Sequence, residues 1–453
     1  MKIWSDVLSQ FWLLKLPAAL LNYFRERHSL KRILENSVWL FIDRAVRLGV
    51  GLFIWIWLAR YLGSEQFGLY NYALAFVSLF GALATLGLDS IVVRDIAHDS
   101  AVKEELLGTA FILKLLGGVL VLAITYAVII HLRPEDSLVH WLVAISASGL
   151  IFQAFDTIDF WFQAQIASRY TVYAKNAAFI LAALVKVALI MYGATLVAFA
   201  WAGLMEAIFG AALMVVVYRY NNQSVLAWRF NLFRAKSLLS NSWPLIFSST
   251  FVFINMLVDK IMIGEIAGDV EVGLYSAASR ISEIWYLIPV IIGASAAPAL
   301  MREKARNERG YYSKLQKIYN FMSVTSLAVA LPVMLLSDHI ISAIYGENYQ
   351  PAGAMLSIHI WSALFVFHVS IRSRSLVIEG KSRFIALYAF LGMMSNVLMN
   401  IILIPEYGGV GASYASLVSW VLCALVFPWF SATTKESVAM FLRSLNIIRY
   451  ANR

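Results

Sequence analysis

Three ionisable side chains interrupt the apolar run Val38–Leu62, VWLFIDRAVRLGVGLFIWIWLARYL, which is long enough to cross a bilayer as a helix. At mid-membrane a charged group costs at least about 2.5–3.5 kcal/mol, so Asp43, Arg44 and Arg47 belong beside water, an opposing charge or a bound ion. Asp43 and Arg47 are four residues apart and meet on one helix face, whereas Arg44 lies one position round. Two readings follow. Either this helix lines a hydrated cavity for an anionic solute, or the charges form an ion pair that holds helices together.

The other spans add to both readings. A guanidinium stays charged and offers two parallel donors to an anion with several oxygens. Beside Arg44 and Arg47, the candidates for a cationic lumen are Lys114 in the third span, Lys175 and Lys186 in the fifth, and Arg280 in the eighth. The two lysines of the fifth span are about three helical turns apart and are expected on one face. Arg372 and Arg374, near one end of the tenth span, are read as snorkelling or structural residues. Four acidic groups, Asp43, Glu206, Asp259 and Glu283, are candidates for proton or sodium coupling, because carboxylates in low dielectric exchange protons as access alternates. Plain neutralisation competes: Asp43 with Arg47, Asp259 with the adjacent Lys260, Glu283 with Arg280 at i,i+3. Asp89, Asp156 and Asp159, near helix ends, are assigned gating or structural roles. His359 and His368 read first as packing residues, then as proton shuttles. Gly117-Gly118, Pro289 and Pro298 are candidate bends.

The chain that carries these groups has 453 residues, 61% hydrophobic and 14% charged, with a mean hydropathy of +0.73. That composition is a polytopic membrane protein's. The single cysteine, Cys423, lies in an apolar span, so neither a disulfide framework nor a cysteine metal site is expected, and no other cofactor is called for. Twelve spans are expected near 38–62, 69–93, 107–131, 138–162, 170–192 and 194–218, then 241–264, 272–300, 317–336, 352–378, 383–404 and 408–432. Of 36 Lys and Arg, 25 fall in one alternating set of connections, 10 within spans, and Arg133 alone in the opposite set. The positive-inside rule then puts both termini in the cytoplasm and assigns the net charge of +9 to the membrane surface rather than to nucleic acid. Residues 1–37, with the apolar stretch Phe11–Leu21, and residues 433–453, with Val438, Phe441, Leu442, Leu445 and Ile448 at helical spacing, are expected to lie in the interface. The longest outer connection, Ser337–Pro351, carries a short amphipathic run.

The halves share a motif: LGSEQFGLY (62–70) and AGDVEVGLY (267–275) coincide at an offset of 205 residues, each following a charged span. An even number of spans separates the copies, so they have the same orientation. Two lobes, 38–218 and 241–432, joined by a linker at 219–240 and related by an axis along the membrane normal, are the expected architecture: all-α, about twelve helices.

These residues also carry a family likeness. ARYLGSEQFGLYNYALAFVSLFGALATLGLDSIVVRDIA (59–97) resembles the opening hairpin of Wzx-type polysaccharide flippases, in the multidrug/oligosaccharidyl-lipid/polysaccharide exporter superfamily. VDKIMIGEIAGDVEVGLYSAASRISEIWYLIP (258–289), IYGENYQPA (344–352) and IPEYGGVGASYAS (404–416) are similar to later parts of that family. The resemblance implies alternating access by two six-helix lobes. Its cargo would be an undecaprenyl-diphosphate-linked oligosaccharide, moved across a bacterial inner membrane during surface polysaccharide biosynthesis. Polymerase and assembly proteins, with the membrane lipids, are the implied partners. A drug or cation antiporter of the same superfamily is the first alternative, and the excess of basic residues in spans argues against it. A membrane enzyme of glycan assembly is the second, opposed by short outer loops and by the lack of HExxH, GxSxG or P-loop motifs.

Overall fold

The chain turns where the repeated glycines stand. Gly63 and Gly268 take φ/ψ of 72°/172° and 93°/172°, a region open to glycine and strained for other residues. The computed structural model describes residues 28–446. The stretch Phe11–Leu21, Ile448 and the chain's last residues lie outside it.

The first lobe begins with α1 (His28–Ala84), which doubles back at Gly63, so that Trp55 and Phe67 have ring centroids 5.3 Å apart. Then follow α2 (Asp89–His98), α3 (Lys103–Leu132), α4 (Ser137–Phe152), α5 (Thr157–Ala164), α6 (Arg169–Met191) and α7 (Leu196–Tyr220). The second lobe comprises α8 (Leu232–Ile266), α9 (Asp269–Glu283), α10 (Leu287–Arg306), α11 (Glu308–Leu335), α12 (Ser337–Tyr345), α13 (Ala352–His359), α14 (Ser362–Ile378) and α15 (Arg383–Val421). α15 folds back at Gly408, bringing Asn400 and Ser416 to the same partner, Asp259. Nine continuous helical stretches among the described residues are long and apolar enough to cross a membrane. Two of them, Asp43–His98 and Arg383–Trp429, cover two crossings each, and α8 completes the expected twelve.

Several crossings are broken. The second is interrupted at Thr85–Leu88, where Leu86 and Gly87 both have positive φ, and the fourth by a 3-10 turn at Gln153–Asp156. In the second lobe the eighth is interrupted at Ile284–Tyr286, just before Pro289, and the tenth at Ile360–Trp361. The second and fourth crossings of each lobe are therefore broken, and the twelfth carries a π-helical turn at Leu422–Val426. By contrast the helix α3 is uninterrupted at Gly117-Gly118, where Gly118 admits the α4 backbone, a Cβ there lying 3.0 Å from the Leu150 carbonyl oxygen.

Both described chain ends lie on one face of the bundle. There α16 (Lys435–Leu445) docks on the second lobe, with Met440 O accepting from Gln316 Nε2 at 2.9 Å and Phe441 stacked on His368 at 4.0 Å. Val438, Met440, Phe441 and Ser444 are buried against that lobe, while Leu442 and Leu445 are exposed on the outer side of the helix.

On the opposite, far face the lobes are locked together. The second leg of α1 crosses α9 so closely that a Cβ on Gly68 would overlap the Asp269 carbonyl oxygen, and one on Gly273 would overlap that of Ser64. The two repeat motifs are thus in mutual backbone contact. Arg60 donates to the carbonyls of Ala343 and Ile344 at the C-terminus of α12, where the helix dipole favours a cation. Tyr349 donates to Ala59 O at 2.9 Å. Arg133 binds Glu265 at 2.8 Å, Asp269 at 3.1 Å and the Gly264 carbonyl at 2.8 Å, and lies over the Tyr72 ring. On the terminal face, the inter-lobe contacts among the described residues are those of the linker, where Asn231 and Arg234 meet Thr109 and Glu105. The described polar ties between the lobes therefore concentrate at the far face.

Candidate functional site

The first lobe concentrates charge in two tiers. In the upper tier, Arg47 Nε donates to Asp43 at 3.0 Å, as the i,i+4 spacing allows, and Arg47 Nη1 lies 4.0 Å from Glu206 on α7. Lys186 on α6 approaches the other oxygen of Glu206 at 3.6 Å, and Phe179 places its ring 5.1 Å from the Arg47 guanidinium. Nearer the terminal face, Lys175 binds Asp156 at 2.7 Å and lies 3.6 Å from Asp159. Lys114 is 3% exposed, 4.9 Å from the Phe160 ring centroid and within electrostatic reach of Asp156 and Asp89. The break at Gln153–Asp156 brings Asp156 and Asp159 round to α6.

Four basic groups therefore meet five carboxylates. The structure replaces a lumen of free cations with a network of ion pairs, because unpaired charges held out of water cost several kcal/mol each. Lys175 and Lys186 share the inner side of α6, yet each has its own partner.

Two candidates stand apart. Arg44 is exposed and lies on the α1 stripe that includes Trp55, eleven residues on. Arg280, on α9, sits over the Trp55 ring at 5.3 Å, where the lobes meet. Neither Arg280 Nε nor Trp55 Nε1 has a hydrogen-bond partner, though both are buried. Glu283, at i+3, does not reach Arg280, and neither residue forms an ion pair among the described residues. Arg280 thus carries an uncompensated charge beneath the far-face closure.

The second lobe holds a different cluster. Asp259 is 2% exposed and ignores its neighbour Lys260. It accepts from the Tyr275 hydroxyl at 2.6 Å, Asn400 Nδ2 at 2.7 Å and the Ser416 hydroxyl at 2.5 Å. Asn400 Oδ1 is left without a partner. The pairing of Asp259 with Lys260 is therefore corrected: neutral donors from α9 and both legs of α15 hold this carboxylate. Nearby, His359 Nδ1 and the Ser282 hydroxyl are 2.5 Å apart, and Tyr275 meets the His359 ring edge-on. His368 is a packing residue, bonded to Ser323 and the Leu364 carbonyl. Arg372 donates to the carbonyls of Cys423 and Ala424, which the π-helical turn Leu422–Val426 presents to it. Arg372 is structural, as the sequence suggested.

Charge-led reading of the spans missed Asn396, Asn400 and Ser416, because none of them is ionisable. The detectable signal was two asparagines at i,i+4 in an apolar run. Arg133 stood out as the lone basic residue of its set of connections, but nothing in its surroundings in sequence pointed to Glu265 or Asp269. At the terminal face, Lys304 binds Glu308 at 2.6 Å and Lys314 binds Glu303. Those lysines hold both carboxyls below the usual range.

The chain matches two families: polysaccharide biosynthesis protein over residues 33–302 and MatE over residues 244–402. It is 24% identical over 411 residues to a Shigella flexneri protein named "Putative O-antigen transporter", covering 88% of this chain and 97% of that one. Among solved structures it superposes on the lipid II flippase MurJ in an inward closed conformation, with a TM-score of 0.72 at 16% identity over 92% of each chain. An inward-facing multidrug resistance MATE transporter of the MOP superfamily gives the same TM-score at 15% identity, over 92% of this chain and 98% of its own. With twelve crossings in two lobes, and a family match across more than half of its length, the chain belongs to the polysaccharide biosynthesis protein family.

Proposed function

We propose that this multi-pass membrane protein is a flippase for lipid-linked oligosaccharide, carrying an undecaprenyl-diphosphate-linked repeat unit from the inner to the outer leaflet by alternating access. The observation that carries this reading is Arg280, an uncompensated guanidinium at the lobe interface whose Nε and neighbouring Trp55 Nε1 lack acceptors. A diphosphate brings several acceptor oxygens and negative charge, which suits both donors. Arg44, on the same α1 stripe as Trp55, extends the cationic face towards the terminal side. Arg47, Lys114, Lys175 and Lys186 are preorganised by carboxylates that an incoming anion displaces, so the network exchanges one set of anions for another instead of desolvating bare cations.

The Asp259 network supports ion coupling. A buried carboxylate ringed by neutral oxygens suits a proton or sodium ion, and Tyr275 and Ser416 tie its occupancy to the packing of α8, α9 and α15. Asp43 and Glu206, committed to Arg47 and Lys186, act instead as the displaceable anions, and Glu283 remains a second coupling candidate. The charge pattern of the connections supports an inner-membrane orientation with both termini cytoplasmic. No catalytic residue is assigned, and a polysaccharide polymerase is the expected neighbour in the assembly pathway.

The test is leaflet crossing of a defined undecaprenyl-diphosphate glycan in proteoliposomes. Arg280→Ala combined with Arg47→Ala is expected to insert normally and lose crossing; wild-type crossing in that variant overturns the site. One observation favours a second reading, a drug or cation antiporter: carboxylates outnumber basic groups in the first-lobe network. Efflux of a cationic dye from the same vesicles, with no glycan-lipid crossing, selects that reading.

A further inference from the structure

The second lobe holds a half-open cavity of about 480 Å³ that the charged network does not touch. Its walls are mainly apolar, with Val290 and Ala297 of α10, Val369 and Val377 of α14, and Ala389 and Trp420 of α15, and carry a polar strip of Ser370 and Ser373. That volume lies within the ~300–1,000 Å³ range of pockets for small ligands. Two cations, Arg372 and Arg374, stand in the wall, and one of them is uncommitted. The Arg374 guanidinium passes over the α10 backbone at Gly293, the only residue type there that leaves room for it, and Nη2 donates to the Val290 carbonyl at 3.2 Å. Arg47, Lys175 and Lys186 each have a carboxylate within 4.0 Å; Arg374 forms no ion pair among the described residues. Its neighbour Arg372 is already committed to two backbone carbonyls.

An apolar chamber with one uncompensated guanidinium complements an amphiphile with an acidic head, its hydrocarbon inside and its phosphate at the rim. Position adds to this. Arg374 lies towards the terminal face, and its acceptor Val290 is ten residues from Arg280 along the same crossing, about 15 Å in a helix. Asn255 also lines the cavity; it is one turn from Asp259 and accepts from Ser419 at 3.5 Å, one rung below the Ser416–Asp259 bond.

We propose that this cavity is a loading subsite for the phosphate-proximal isoprenoid segment of a polyprenyl-phosphate lipid, with Arg374 receiving a phosphate oxygen before the headgroup moves to Arg280. The identity of the lipid rests on the flippase reading; the binding chemistry does not. The second lobe then holds the hydrocarbon and, at Arg374 and Arg280, the phosphate, while the charge network of the first lobe faces the rest of the headgroup.

The experiment uses the full chain in nanodiscs and a benzophenone-bearing geranylgeranyl diphosphate, with adducts mapped by mass spectrometry. Labelling is expected on α10, α14 and α15 around the cavity. Ala297→Trp and Ala389→Trp, filling it from opposite walls, abolish that labelling, and Arg374→Gln weakens it by about tenfold or more. The matching geranylgeraniol probe is indifferent to Arg374→Gln. Thermal melts show whether the filled variants are folded; should both fail to fold, the wild-type adduct map and Arg374→Gln still decide. Adducts confined to outward-facing surfaces, or labelling indifferent to all three substitutions, overturn the subsite. Equal competition by dioleoylphosphatidylglycerol identifies bulk phospholipid as the occupant and overturns the isoprenoid assignment. Labelling as expected without glycan-lipid crossing sinks the flippase reading alone, whereas wild-type crossing in both folded, filled variants sinks the loading role alone.

Discussion

Glu206 shows how one carboxylate organises two cations, Arg47 from α1 and Lys186 from α6. Glu206→Ala leaves both without it, and is expected to destabilise the protein by about 1–2 kcal/mol, less than a fully buried pair would lose because the group is partly exposed. Adding Lys186→Ala should recover part of that loss in a thermal-denaturation double-mutant cycle. Asp259→Asn is a sharper probe. The Asn400 amide can turn to offer its unpartnered oxygen to the new amide group, so the melting temperature should change little. Leaflet crossing should instead become indifferent to imposed proton and sodium gradients; gradient dependence equal to wild type would remove Asp259 from coupling. The ionisable residues of the spans were visible in the sequence, because charge in an apolar run is costly and conspicuous. Their partners were not: Glu206 is about 160 residues from Arg47, and no local spacing records that they meet.

At the level of helices, breaks and close crossings do what side-chain type alone cannot. Asp89, Asp156, Glu283 and His359 all border the interruptions of the second, fourth, eighth and tenth crossings, so each break places a titratable group where a straight helix would not. Twelve apolar runs of the right length were legible because bilayer thickness dictates them. Pro289 marked one break correctly. The break at Leu86-Gly87 was masked by an apolar run of ordinary composition, whereas the close packing that Gly118 permits against α4 left no mark of its own in the sequence. The GxxxxGLY motif was legible as a repeat, but its self-contact was not. Gly68→Ala or Gly273→Ala should cost about 1–3 kcal/mol by overpacking and shift the population towards open far faces. A cysteine introduced near the turn should then label faster with a membrane-impermeant maleimide; unchanged labelling would mean that the backbones accommodate a methyl group.

The whole molecule is held at one end. Arg133 joins the first lobe to the second through Glu265, Asp269 and the Gly264 carbonyl. Arg133→Ala should favour the far-open state by about 1–3 kcal/mol, read as a longer distance between spin labels at Glu135 and Glu347. A reporter at Gly268 is expected outside the cell and one at Gly380 in the cytoplasm. Twofold architecture followed from the repeat, yet the lobes differ in content: charge network in one, apolar chamber and Asp259 cluster in the other.

The Gly68–Gly273 crossing has a consequence for how the lobes exchange access. It sets each glycine against a carbonyl oxygen of the other lobe, Gly68 on Asp269 and Gly273 on Ser64, with no rotamer to unfasten and no side chain to interdigitate. Arg60, Arg133 and Tyr349 are bolts around it, so drawing them leaves the halves touching through bare backbone, a seam that a single methyl group would prise apart.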